Sequence, residues 1–175
     1  MSENVTVRHA RADDINRLAD LAARSFRDTF EEGNDPANVD DYLRSALTTK
    51  SVCSEFGEAH NIFLVACIDN NDAPVGYAKL CVASQDPNVI DQSTVEIERI
   101  YADKPVIGRG VGAALMHACL TEAEYLGCQA IWLGVWERNE RAIRFYERWE
   151  FEIVGARQFT LGSDLQNDLV MVRKL

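Results

Sequence analysis

Apolar and polar positions change period several times along the chain, and each change marks an element. Residues 5–10 (VTVRHA) alternate, as a half-buried strand does. Apolar residues then recur at Ile15, Leu18, Ala19, Ala22, Phe26 and Phe30, the spacing of one helix face, with a capping Asp ahead of them. A second helix is expected near Val39–Leu47. The runs 61–69 (NIFLVACID) and 75–83 (VGYAKLCVA) read as two buried strands joined into a hairpin by NNDAP. Residues 93–102 (STVEIERIYA) form a further strand, and behind a glycine-rich loop Val111, Leu115, Ala118, Cys119 and Leu126 share a helix face that Gly127 should terminate. The stretch 129–136 (QAIWLGVW) is a strand and 139–149 (NERAIRFYERW) a helix with Asn139 as cap. Residues 151–161 and 168–175 supply two closing strands. The pattern predicts an α/β (α+β) protein with a mixed central sheet of about seven strands and about four flanking helices.

At 175 residues, 47% of them apolar, the chain can bury a sizeable core, and without repeats or linkers a single domain over residues 1–175 is expected. No apolar run reaches the ~18 residues of a membrane span. The start MSENVTVRHARADD has no cationic stretch followed by an apolar one, so no secretion signal is expected. Cys53, Cys67, Cys81, Cys119 and Cys128 show no C-x-x-C spacing and form no ligand set with the histidines, which predicts reduced core thiols, no metal and a cytoplasmic location. A net charge of −10, from 28 acids and 18 bases, argues against a nucleic-acid partner. Half of that excess lies between Arg27 and His60, where Asp28, Glu31, Glu32, Asp35, Asp40, Asp41, Glu55 and Glu58 face only Arg27, Arg44 and Lys50. This is either a solvated helical surface or an acidic approach to a site for a cationic substrate.

Between strand and helix, residues 101–115 (YADKPVIGRGVGAAL) carry glycines at 108, 110 and 112. Without Cβ atoms the backbone amides can approach a ligand closely, and the helix N-terminus adds about half a positive charge, so a phosphate or pyrophosphate is the expected occupant. Arg109 adds a full charge. No Gly-Lys-Ser/Thr follows, which excludes a Walker loop. Gly108, Gly110 and Ala113 formally meet the dinucleotide pattern, but Pro105 precedes them and no strand-end acid follows about 20 residues on.

Three segments together, VEIERIYADKPVIGRGVGAALM, AIWLGVWERN and NERAIRFYERWEF, resemble in order and spacing the acetyl-CoA loop, fifth strand and following helix of the GNAT superfamily of N-acetyltransferases. The wording RIY, WLGVWERN and AIRFYERWEF is most similar to the branch of bacterial spermine/spermidine acetyltransferases. The resemblance is specific over residues 94–152 and looser elsewhere. It implies a GNAT fold, with the sheet splayed between strands four and five and pantetheine lying between them. It implies that backbone groups of Ile100, Tyr101 and Ala102 hold pantetheine, that amides of Ile107, Gly108, Arg109, Gly110, Val111, Gly112 and Ala113 hold the pyrophosphate, and that Asn139, Ala142, Phe145 and Tyr146 lie beside the coenzyme. Two positions depart from the family. Ile107 stands where the loop usually begins with Gln or Arg, and Glu150 stands where the last helix usually ends in glycine, so that a left-handed conformation there would cost about 1 kcal/mol.

Acetyl transfer from a thioester needs a neutral amine, donors for the carbonyl oxyanion and a proton for the leaving thiolate. Glu96 and Glu98 share a strand face, and counted back from the glycines Glu96 matches the general-base glutamate of histone-modifying relatives. Since a carboxylate near pKa 4 cannot alone deprotonate an ammonium near 10, either a water relay is involved or these acids only position the cation. Tyr146, seven residues after Asn139 on the same helix face, is the candidate proton donor; the alternative is a core residue. Trp132 and Trp136 read as core and site wall, and Cys119 and Cys128 lie away from the splay, which argues against an acyl-cysteine relay. The implied activity is transfer from acetyl-CoA to a small primary amine by direct attack in a ternary complex, with a polyamine such as spermidine or spermine as the suggested acceptor. Another amine (amino acid, aminoglycoside, protein N-terminus or lysine) and a non-catalytic acyl-CoA-binding module stay open. Homodimers are frequent in the family, so that assembly is open too.

Overall fold

The computed structural model describes residues 4–69 and 71–175. In chain order its elements are β1 (Val5–His9), α1 (Ile15–Phe30), α2 (Pro36–Ala46), α3 (Thr49–Phe56), β2 (Asn61–Ile68), β3 (Asn71–Cys81), β4 (Thr94–Ala102), α4 (Val111–Tyr125), β5 (Ala130–Trp136), α5 (Glu140–Arg148), β6 (Glu152–Leu161) and β7 (Asp164–Lys174). The strands form one sheet in the order β1-β2-β3-β4-β5-β7-β6. Every pairing is antiparallel except β4 with β5.

Alternation along the strands divides the core between two faces. On one, Leu115, Met116 and Cys119 of α4 and Tyr146 of α5 pack on Leu64, Leu80, Val95, Ile97 and Leu133. On the other, Leu18, Ala22 and Phe26 of α1 join Val39, Val52, Phe63, Val65 and Tyr77. The expected α1 stripe is the buried one, reinforced by Leu21 and Ser25. Helix α3 was not anticipated. Thr48 caps it by accepting from the Ser51 amide, but its eight residues bury only Val52, too few to show a period. The β2–β3 connection is also tighter than expected: Ile68 pairs with Asn71, so most of NNDAP belongs to β3, and residue 70 lies outside the described residues. Cys53 is exposed rather than a core thiol.

Two features shape the centre of the sheet. Lys79 pairs with Arg99 and Leu80 with Ile97, which leaves Glu98 as the extra residue of a β-bulge. A bulge bends its strand. Strand β4 accordingly pairs with β5 only from Thr94 to Glu96, opposite Ala130 to Trp132, and then parts from it, leaving the backbone edge of 97–102 open. Beside it α4 sits very close to β3, because a Cβ on Gly76 would lie 2.6 Å from Val111 Cγ1 and 2.9 Å from the Tyr101 carbonyl oxygen. Gly127 ends α4 at φ 71°, and Glu150, which follows α5 where relatives usually carry glycine, is left-handed at φ 64°.

Candidate active site

A cavity of about 660 Å³ opens where β4 and β5 part. Its floor includes Ile97–Ala102 of β4 and Gly134–Trp136 of β5. Helices α4 and α5 close one end and α1, α2, β6 and β7 the other, through Gly112 and Tyr146 at the first and Phe26, Tyr42, Phe159 and Asp168 at the second.

At the α4 end the backbone is prepared for an anion. Gly108 and Gly110 take φ 84° and 87°, left-handed angles that favour glycine, and space beside both is open. The first α4 amide to bond back is Ala114, to Gly110 O at 3.0 Å, so the amides of Val111, Gly112 and Ala113 project ahead of the helix. The expected row of seven donors is shorter than the sequence suggests, because the Ile107 and Arg109 amides are already taken by Lys104 O (3.3 Å) and Val106 O (3.1 Å). Lys104, Arg141 and Arg148 also line the cavity and bring cationic charge. Asn139 caps α5, its side chain accepting from the Ala142 amide at 3.2 Å.

Of the anticipated residues, Glu98, Ile100, Tyr101, Ala102, Ile107, Gly108, Gly110, Gly112, Ala113, Asn139, Ala142, Phe145 and Tyr146 line this one cavity, whereas Glu96, Arg109 and Val111 do not. Val111 is buried against Gly76, and Arg109 is exposed. Tyr146 is nine-tenths buried among aromatic rings of Phe145 and Phe151, and burial, with Cys119 nearby, pushes its phenol above the ordinary value, so it holds its proton. Cys119 is fully buried in the core, its thiol pushed up to about 12 by burial and the charge of Glu122.

The two strand glutamates have different surroundings. Glu98 is on the cavity wall and accepts from Lys79 Nζ at 2.8 Å. Lys79 and Arg99 also reach Glu55 of α3, Arg99 through two bonds of 2.7 and 2.9 Å. Burial alone would raise the Glu55 carboxyl; hydrogen bonds and charge from Arg99, with Lys79, outweigh it and hold the group below its ordinary value. Glu96 is only 3% exposed, accepts from Ser84 Oγ, and receives Arg157 Nη2 at 2.8 Å. The Arg157 guanidinium crosses from β6 over β7 and β5, lying 5.3 Å above Trp132 and in the space a Cβ on Gly134 would fill.

Sequence reasoning missed Asp168. It faces Trp136 on one side and Arg157 on the other, lines the cavity, and is only 8% exposed. Among the described residues no donor bonds its carboxylate. Burial raises its pKa to about 6; Arg157 opposes the shift, and Glu96 and Glu137 add to it. Its only signal was an acid opening an apolar strand. Ser25 Oγ, buried without a partner, also lines the cavity.

A splayed strand pair with an anion-ready helix end at its mouth decides the relationship: residues 15–151 match the acetyltransferase (GNAT) family. The chain belongs to that family. It is 34% identical over 162 residues to an uncharacterized N-acetyltransferase of Mycobacterium tuberculosis, covering 93% of this chain and 98% of that one. It is 33% identical over 82 residues to the spermine/spermidine N(1)-acetyltransferase of Bacillus subtilis, covering 46% of this chain and 50% of that enzyme. Its fold superposes with a TM-score of 0.78, at 16% identity and over 98% of this chain and 99% of the other, on the PaiA N-acetyltransferase of Thermoplasma acidophilum in complex with coenzyme A. This GNAT chain is thus an N-acetyltransferase by family. Among its described residues no helix is long and apolar enough to cross a membrane, and no cluster of three metal-ligating side chains occurs.

Proposed function

We propose that the protein transfers an acetyl group from acetyl-CoA to a primary amine by direct attack in a ternary complex. The observation that carries this reading is the parting of β4 from β5 after Glu96, which leaves an open backbone edge above a cavity that ends at the glycine-capped start of α4. The residues present fit the coenzyme: unpaired edge groups of 97–102 suit a pantetheine amide chain, and the Val111–Ala113 amides with Lys104, Arg141 and Arg148 suit phosphates. Acetyl-CoA supplies an activated acyl carbon. Tyr146 stands as donor of a proton to the departing sulfur, and Glu98 and Asp168, with the more exposed Asp28, are the cavity carboxylates that can meet an ammonium. Glu96 serves as the anchor of Arg157.

A polyamine acceptor draws support from the name of the Bacillus relative and from the acid excess of residues 27–60. Within the structure that support narrows. Asp40 pairs with Arg27, Asp41 with Arg44 and Glu55 with Arg99, Asp35 caps α2, and of the eight acids only Asp28 lines the cavity.

The deciding experiment follows release of free CoA thiol from acetyl-CoA against a panel of amines that includes spermidine, an amino acid and a simple alkylamine. Amine-dependent release supports the enzyme. Binding of CoA with no release for any amine leaves a non-catalytic acyl-CoA module.

A further inference from the structure

At the end of the cavity away from α4, five aromatic side chains form a continuous arc. Trp136 meets Phe30 at 5.6 Å, Phe30 meets Phe26 at 4.4 Å, Phe26 meets Tyr42 at 4.4 Å, and Tyr42 meets Phe159 at 5.5 Å between ring centroids. All five line the cavity. The arc closes on Asp168: Trp136 is its direct neighbour across β5, and Phe159 is two residues along β6 from its other neighbour, Arg157. Asp168 is the buried carboxylate without a hydrogen-bond donor of its own, because Arg157 is committed to Glu96. Resting on the amine-acetylation reading above, we propose that this aromatic chamber is the acceptor subsite, that it takes a small primary amine bearing one ammonium on an aromatic or apolar body, and that Asp168 receives the ammonium and removes its proton.

Each part of the class follows from the walls. Aromatic faces attract a cation and bury an apolar body, and an unpaired carboxylate completes a seat for one ammonium. A second ammonium finds no equal seat, since Glu98 is already held by Lys79 and Arg99, the remaining cavity acid, Asp28, is exposed rather than buried, and the guanidinium groups of Arg99 and Arg157 share the wall. An α-amino acid would bring its own carboxylate against Asp168. In the reaction the ammonium gives one proton through water to Asp168, which sheds it to solvent; the nitrogen forms a bond to the acetyl carbon as the carbon–sulfur bond breaks, the thiolate takes the Tyr146 proton, and the second nitrogen proton passes through water to restore the Tyr146 phenol. Charged or titratable groups facing Asp168 are Arg157 of β6, Glu96 of β4, Glu137 after β5 and Tyr42 of α2.

The test measures CoA thiol release with 2-phenylethylamine, ethylamine and spermidine on wild type, Asp168→Asn, Tyr42→Leu and Phe159→Leu, across pH 5 to 9. Expected is a kcat/KM for phenylethylamine about tenfold or more above both other amines, since even a single methylene in an apolar pocket is worth about 10- to 200-fold. The leucine variants, which keep the bulk of the core, should erase that preference through KM. Asp168→Asn should lower kcat about 10²-fold and remove the acid limb of the pH profile, which a merely structural residue would not do. Spermidine or ethylamine performing as well as phenylethylamine, or an unchanged acid limb in Asp168→Asn, overturns the proposal while the acetyltransferase stands. A wild type that releases no thiol with any amine overturns the reading beneath it as well.

Discussion

Arg157 Nη2 lies 2.8 Å from Glu96 Oε1, although the two residues belong to strands separated by two others in the sheet. The guanidinium bridges the widening gap between β4 and β5 just where their pairing ends. It can do so because residue 134, beneath it, has no side chain. One glycine therefore permits a part-buried ion pair, and that pair leaves Asp168 without a donor among the described residues.

Gly134→Ala tests this chain of contacts. A Cβ would stand 2.6 Å from Arg157 Nη2, and the flexible arginine yields more readily than backbone. Glu96 then loses a charged donor while buried, at a cost of about 1.5–3 kcal/mol. Glu96→Gln should cost clearly less in the Gly134→Ala background than alone, because the bond it removes is already broken. Urea midpoints of the four proteins in the cycle measure it, and additive effects would contradict the bridge.

The loop at α4 makes a prediction about binding. CoA should raise the melting temperature, since a ligand held by the native state alone adds about 2.7 kcal/mol at a hundredfold excess over its dissociation constant. Gly110→Asp should abolish the rise by placing a negative charge beside the Val111–Ala113 amides. Left-handed φ adds strain to any side chain there, so Gly110→Asn, uncharged and more tolerant of that angle, serves as the folded control and should keep part of the rise. An unchanged rise in Gly110→Asp would contradict the anion site.

How much of this was legible beforehand depended on the range of each interaction. Strand alternation, the α1 stripe and the Asn139 cap are local consequences of residue type, and each could be read from a short window. Helix α3 had no period to read. The contrast between Glu96 and Glu98 could not be read either, since both share a strand, and only the arrival of Arg157 from residue 157 and of Lys79 from β3 separates them. Asp168 stayed hidden for the same reason: its partners on β5 and β6 are set by strand order, and no spacing in the chain announces them.

Tyr146→Phe removes one hydroxyl and keeps the ring packed against Phe145 and Phe151. Melting temperature and CoA affinity should stay near wild type. Turnover with acetyl-CoA should fall about 10²-fold or more, the low end of general-acid effects because a thiolate leaves readily. A donor with a more acidic thiol should suffer less. Turnover within twofold of wild type on both donors would make Tyr146 a packing residue.

Asp168 carries the last prediction, one about stability. Its folded pKa of about 6 lies above the unfolded value near 3.9, so the native state binds this proton more tightly than the unfolded chain does. Stability contributed by the protonated carboxyl is therefore lost as pH rises from about 4 through about 6, and at pH 7 the buried charge costs roughly 1–3 kcal/mol. Asparagine has the same shape and no charge. Asp168→Asn should thus be more stable than wild type at pH 7, by about that amount, and nearly equal to it at pH 4. Asp14 and Glu55, whose carboxyls are held low by Arg8 and, against burial, by Arg99, act with the opposite sign, favouring the folded state above their unfolded values. Both proteins share them, so they cancel in the difference. Urea unfolding at pH 4, 5, 6 and 7 gives the curve, and an Asp168→Asn protein less stable than wild type at pH 7 would mean that the carboxylate is held by the fold rather than kept charged for a substrate.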